Sequence, residues 1–405
     1  MYLCRNMEYS REVALKLLAP SKRELEHGLE LHRNSFVCEA YGFMPKGEVP
    51  DQSVEGGYDV RSFGNRFEQQ HMLDFMRDPA MKAECLKALE YAGVNCIFLN
   101  AGIESSVPGE LIKRLARLTY LCDLYPEIYR RVVWPEQMEE VYQAGKIGLG
   151  FTTCGVPVVH ELSPVDESKY LLTVFFQLGV RMMHLTYNRR NLLADGCAEK
   201  ADAGLSGFGR EMIREMNRVG IIIDVAHTGN RSAAEAAQWS EKPVIASHTA
   251  VGRLTPHIRA KSDETIRAIV ESGGYIGICT LPYFLYGKGD IRTFLDHIDY
   301  VAENFGVDHV AISTDNSHLC GAPFHWGPKF PVHTRFEAYW PEKMPPFEMT
   351  EEMFESMAWT NWPLFTVGLV QRGYSDDDIR KILSGNFMRV FRAAVSHIER
   401  PGYKI

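Results

Sequence analysis

The chain has 405 residues, with 44 lysines and arginines against 52 aspartates and glutamates, a formal charge of −8; that balance offers no basic face for nucleic acid. Hydrophobic residues make up 45% and charged residues 24%, enough to bury a sizeable core, which excludes a disordered or fibrous chain. No run of 18 apolar residues occurs, so no membrane-spanning helix and no membrane partner are expected.

The first twenty residues, MYLCRNMEYSREVALKLLAP, scatter charges through their apolar positions, so no secretory signal is expected there. Residues 1–30 read as a helical N-terminal extension, and residues 31–405 as one barrel domain. After the extension, short apolar runs alternate with amphipathic stretches. Strands are predicted at 36–40, 94–100, 147–152, 181–187, 221–227, 244–249, 275–280 and 309–315, each apolar or β-branched and of strand length. Helices are predicted between them, among others at 80–91, 170–178, 207–218, 232–238, 262–272 and 291–304. Gly93, Gly145, Gly179, Gly220, Gly273 and Gly306 each stand between a helix and the next strand, where a left-handed cap is wanted.

Eight strand–helix units predict an α/β fold, a (β/α)8 TIM barrel, with an open doubly wound sheet as the alternative. Residues 317–349 hold six prolines and many aromatics and read as a long loop after the last strand, a natural lid. Residues 350–396 read as two or three closing helices. The nine cysteines are an odd number, and several sit inside apolar runs such as VNCIFLN and YIGICT. They read as buried reduced thiols, and a cytoplasmic location is expected.

In a parallel barrel the reactive side chains sit at the C-terminal ends of the strands, where the loops form the mouth. Strand five runs into Asp224, Val225, Ala226 and His227; strand six into Ser247, His248 and Thr249; strand eight into Thr314, Asp315 and Asn316. A lone histidine at a strand end is more often a hydrogen-bonded structural residue than a ligand. Two on adjacent strands, with neighbouring backbones about 4.8 Å apart, can share one divalent ion, and Asp315 could add a carboxylate. Cys154 by itself reads as a small hydrophobe, and Tyr41 and Phe43 as core aromatics. The glycines of GLSGFG (204–209) open a helix at Ser206, a capping arrangement and not a phosphate loop.

The segment from GLSGFGREMIREMNRVGIIIDVAHTGNRS through PVIASHTAVGRLTPHIRAKSDETIRAIVESGGYIGI, with LDHIDYVAENFGVDHVAISTD and RGYSDDDIRKILSGNFMRVF, resembles the membrane (renal) dipeptidase family of amidohydrolase-like barrels over about residues 30–396. The resemblance implies two zinc ions at the barrel mouth and hydrolysis of dipeptides, including those with a D- or dehydro-residue on the C-terminal side. It also implies that His227 and His248 ligate one zinc, that Asp315 handles the proton of the attacking water, and that Arg259 binds the substrate carboxylate. A guanidinium fork suits a carboxylate better than an ammonium does, and removing it is expected to raise KM more than it harms the fold. Homodimers are implied by the same resemblance.

Three departures from the family pattern stand at matching strand ends. Tyr41 and Phe43, in VCEAYGF, replace the His-x-Asp pair of strand one. Cys154 replaces the bridging glutamate after strand three, and Tyr187 replaces a histidine after strand four. Two adjacent Zn²⁺ ions need anionic ligands to offset their repulsion, so the expectation becomes one zinc ion, or none, on His227 and His248 with Cys154 or Asp315. The expected activity is a dipeptidase-like metallohydrolase acting on a small molecule with a free carboxylate. Asp315 and Tyr187 would be catalytic, and Arg259 and Tyr41 would bind substrate. The alternatives are a non-peptidase enzyme on the same barrel, such as an isomerase, tautomerase or lyase acting on an amino-acid-like acid, or a catalytically silent homologue.

Overall fold

The apolar runs form, in chain order, one parallel sheet that curls nearly shut. The computed structural model describes residues 6–47, 73, 76–102, 107–158, 164–320, 340–341 and 346–399. Its barrel strands are β1 (Cys38–Gly42), β2 (Cys96–Asn100), β3 (Ile147–Thr153), β4 (Val180–His184), β5 (Ile222–Asp224), β6 (Val244–Thr249), β7 (Ile276–Ile278) and β8 (Val310–Ile312). Each pairs in parallel with the next. At the mouth, the Asp315 N–H donates to the Tyr41 carbonyl at 3.2 Å and the Phe43 N–H to the Asn316 carbonyl at 3.1 Å, which draws the last strand onto the first. The buried carboxyl of Glu39 reinforces that seam by accepting from the Thr314 N–H at 2.7 Å and from Trp359 Nε1 at 3.2 Å.

Alternation along the strands sorts the core into two layers. Cys38, Cys96, Phe98, Met182, Ile222, Ile245 and Ala311 face the barrel interior, where Phe387, Val390 and Phe391 of the helix Asn386–Val395 plug its floor. Truncating Phe387 or Phe391 to Ala would cost about 3–5 kcal/mol, because the plug cannot collapse into the space left. Ile97, Leu99, Leu149, Met183, Ile223, Ile276 and Ile278 face outward under the helical layer. Gly150 in β3 is a packing glycine, since a Cβ there would lie 2.6 Å from the Phe98 ring.

The helices follow their sequence signals. Ser21 and Glu24 form a reciprocal cap for Lys22–Arg33, and Ser206 Oγ accepts from the Gly209 N–H at 2.8 Å to open Gly207–Val219. The six glycines named above all adopt positive φ. The N-terminal helices Met7–Leu18 and Lys22–Arg33 are fastened to the closing helices. Asn361 Nδ2 donates to the Ser10 carbonyl at 3.1 Å. His32 lies 2.8 Å from Thr366 Oγ1 and 2.9 Å from the Ala92 carbonyl.

Three features differ from expectation. Paired strands end at His184, Asp224 and Ile312, three residues short of the predicted ends. Hydrophobic pattern reports burial, and loop residues such as Val225 and Ala226 are fully buried without belonging to a strand. Cys85 and Cys320 form a disulfide, with Cα atoms 6.0 Å apart across a separation of 235 residues. The pair ties the helix Pro79–Ala92 to the short strand Leu319–Cys320, which pairs with Lys46–Gly47. The cysteines are therefore not all reduced thiols, and their spacing no longer argues for a cytoplasmic location. Most of the expected 317–349 lid lies outside the described residues. Among the described residues, no helix is long and apolar enough to cross a membrane.

Candidate metal centre at the barrel mouth

β5 and β6 deliver His227 and His248 into one buried space. Both are at most 3% exposed, and their Nε2 atoms lie 3.0 Å apart. Each ring is held from behind. His227 Nδ1 lies 2.7 Å from Asn188 Oδ1, and His248 Nδ1 lies 2.7 Å from Ser247 Oγ. A carboxamide oxygen can only accept, so His227 Nδ1 carries the proton and Nε2 presents its lone pair inward. Burial first, and then the Arg259 cation, hold both imidazoles well below their ordinary pKa and keep them neutral. A metal ligand must be neutral in this way.

Asp315 stands at the edge of this pair, with Oδ2 3.9 Å from His248 Nε2 and 18% of its side chain exposed. Its φ of 53° is left-handed, a conformation that aspartate tolerates better than most residues and that tends to be kept where a side chain must be aimed. Burial pushes its carboxyl up to about 7, with Arg259 pulling down and Asp224 pushing up. A carboxyl poised there can both take and return a proton near neutrality.

Arg259 is 1% exposed. Its Nη2 donates to the His248 carbonyl at 2.9 Å and its Nε to the Ala226 carbonyl at 3.3 Å, with the guanidinium carbon 4.9 Å from the centre of the Phe284 ring. Nη1 makes no hydrogen bond among the described residues. Tyr187 stacks on His227, ring centroids 4.2 Å apart.

Tyr41 and Cys154 are placed otherwise than expected. The Tyr41 ring lies flat over His248, at 3.9 Å and 7°, and is 1% exposed, which leaves little surface for a substrate to touch. Its hydroxyl is 3.4 Å from Cys154 Sγ, which also accepts from Asn100 Nδ2 at 2.8 Å. The thiol thus faces Tyr41 and Asn100, outside the group of imidazole nitrogens. Phe43 packs edge-on against Tyr41.

Two residues that sequence reasoning gave no role complete the cavity. His184 ends β4, 1% exposed, with its Nε2 2.7 Å from Asp224 Oδ2, close but bent off the line of a hydrogen bond. Its Nδ1 has no partner among the described residues. Asp224 ends β5 and accepts through Oδ1 from the N–H groups of Ala226 (2.9 Å) and Ser247 (3.0 Å). Burial pushes the Asp224 carboxyl up, but His184 and the Ser247 bonds outweigh it and hold it below the ordinary range. Ligand nitrogens of His184, His227 and His248 all lie within 4.8 Å of one another. An unpartnered buried nitrogen beside two neutral imidazoles suits a divalent ion. The missed signal was the two-residue period: Met182 and His184 face inward together, and so do Ile222 and Asp224.

Comparison with known proteins agrees with this architecture. The sequence matches the family described as membrane dipeptidase (peptidase family M19) over residues 86–323. It is 26% identical over 288 residues to the dipeptidase tcpJ of Claviceps purpurea (strain 20.1), covering 70% of this chain and 59% of that protein. The fold is shared with an amidohydrolase from Pseudomonas aeruginosa (23% identity, TM-score 0.69, covering 91% of this chain and 99% of that one). It is shared too with the probable dipeptidase PvdM from the same organism (19%, 0.66, 93% and 99%). A third is a metallo peptidase from Rhodobacter sphaeroides liganded with a phosphinate mimic of the dipeptide L-Ala-D-Ala (15%, 0.65, 89% and 100%). With the family match spanning more than half of its length, this chain belongs to the membrane dipeptidase family.

Proposed function

We propose that this protein hydrolyses a dipeptide, or a related amide with a free carboxylate, using a single metal ion of the zinc class. The observation that supports this reading most directly is the setting of Asp315, whose Oδ2 stands 3.9 Å from His248 Nε2 at the edge of the imidazole group. A divalent ion bound at the imidazoles supplies Lewis acidity and lowers the pKa of water toward neutrality. The chain's own residues do the rest. Asp315 takes the proton of the attacking water at its carboxylate and returns it to the departing amine. Arg259, already gripped by the Ala226 and His248 carbonyls, offers Nη1 to the substrate carboxylate. Tyr187, on the face of His227, lines the oxyanion side. The barrel mouth keeps bulk water out and so strengthens each of these interactions.

The second reading, an isomerase, tautomerase or lyase, draws on the Tyr41–Cys154 contact. Burial first, then Cys154 and Asp315, push the Tyr41 hydroxyl well above its ordinary pKa, so it stays protonated and makes a poor base. This weighs toward hydrolysis. The test loads the full chain with zinc and assays L,L and L,D dipeptides as free acids and as C-terminal amides. Turnover with a preference for the free acid is expected; a loaded protein that cleaves none of them sinks the proposal.

A further inference from the structure

We infer that His184, His227 and His248 form a three-imidazole site for one zinc-class ion, with Asp224 as the carboxylate that positions His184, in place of a two-ion centre. The inference rests on the one-ion reading above and names its ligands. Centroids of the three rings stand 5.0, 5.2 and 5.0 Å apart, a nearly equilateral triangle. A tetrahedral zinc with bonds of about 2.0–2.1 Å to three imidazoles sets ring centroids about 5.2 Å apart and ligand nitrogens about 3.3 Å apart. The rings are thus at ligating separation, and the 3.0 Å between the Nε2 atoms of His227 and His248 needs only a small spreading.

The partners behind the rings point the same way. Asn188 Oδ1, Ser247 Oγ and Asp224 Oδ2 each stand 2.7 Å from one imidazole nitrogen. Every ring therefore has an oxygen at one nitrogen, the arrangement that orients ligating histidines and raises their basicity. For His184 the nitrogen away from Asp224 is the buried Nδ1; neither ring nitrogen has a well-aligned hydrogen bond among the described residues, and Nε2 alone lies close to a carboxylate oxygen, at 2.7 Å. A tripod of neutral donors leaves the ion its full charge and a fourth position for water, and imidazole donors favour zinc-like ions over magnesium or calcium. Tyr41 closes the other side. Its ring, flat against His248 at 3.9 Å, fills space next to the imidazoles, and its hydroxyl lies 3.4 Å from Cys154 Sγ.

X-ray absorption of the zinc-loaded full chain tests the ligand set without any variant. Three imidazoles with an oxygen donor and no sulfur are expected. Two imidazoles, or a sulfur at about 2.3 Å, overturns the inference. In chelator competition, Asp224→Asn should weaken zinc binding about 10- to 100-fold and His184→Ala more, with Cys154→Ser leaving it unchanged; His184→Ala binding zinc as the wild type does overturns the inference. One equivalent of zinc on three imidazoles without dipeptide turnover sinks the hydrolase proposal and leaves the site standing. Turnover with zinc on two imidazoles does the reverse.

Discussion

Replacing Arg259 with methionine separates its two jobs. Methionine keeps most of the stem and loses the donors to the Ala226 and His248 carbonyls. Each buried acceptor stripped of its partner costs about 1–3 kcal/mol, and the longer bond, 3.3 Å against 2.9 Å, belongs at the low end. The loss of stability is thus about 3 kcal/mol, so Arg259 serves the fold beyond the substrate contact proposed for it. Two of its donor positions are already committed, so a substrate carboxylate gains one charge-assisted bond from Nη1, worth about 1.5–3 kcal/mol or about 10- to 100-fold in kcat/KM. The assay is kcat/KM for one dipeptide as free acid and as C-terminal amide, alongside urea unfolding. Wild type should favour the acid by about that factor, and Arg259→Met should bring the ratio near one. If the variant slows both substrates equally, Arg259 is only a structural tie and the carboxylate reasoning fails.

Other outcomes follow from the same structure. Burial, against the bond to Ala92 and with help from the Arg11 cation, holds His32 down at about 4 from an ordinary 6.5. The unfolded chain therefore takes up this proton first: the contribution is full above about pH 6.5 and drains away as pH falls toward 4. About 2 kcal/mol should go between pH 7 and pH 5, and His32→Gln should remove that slope in urea unfolding; parallel wild-type and variant curves would count against a buried neutral ring. Reducing Cys85–Cys320, which closes 235 residues, should cost up to about 5 kcal/mol by chain entropy, and an unfolding midpoint indifferent to reductant would show the bond to be unformed. Combining Tyr41→His, Phe43→Asp and Cys154→Glu should raise zinc from one to two per chain by elemental analysis, and unchanged stoichiometry would show that these strand ends do not match the family's ligand positions.

Periodicity along the chain was enough for the strand order, the helical layer and the glycine caps, because burial and turn chemistry are local properties of neighbouring residues. His227, His248 and Asp315 were singled out by their places at strand ends and Arg259 by the family resemblance, and the structure brings the four together. His184 was not singled out, because the buried pattern of 181–187 ran past the true strand end and drew attention to Tyr187. Only the assembled barrel shows that Met182 and His184 share the inner face, and that β4, β5 and β6 bring three imidazoles within reach of one another. The same holds for Cys154: a thiol looked like a ligand in sequence, but Tyr41 and Asn100, from two other strands, engage it. Cys85 and Cys320, far apart along the chain, meet only through tertiary packing. Local sequence determines which face of each strand is apolar, whereas the coordination geometry depends on how neighbouring strands stagger and where each one stops.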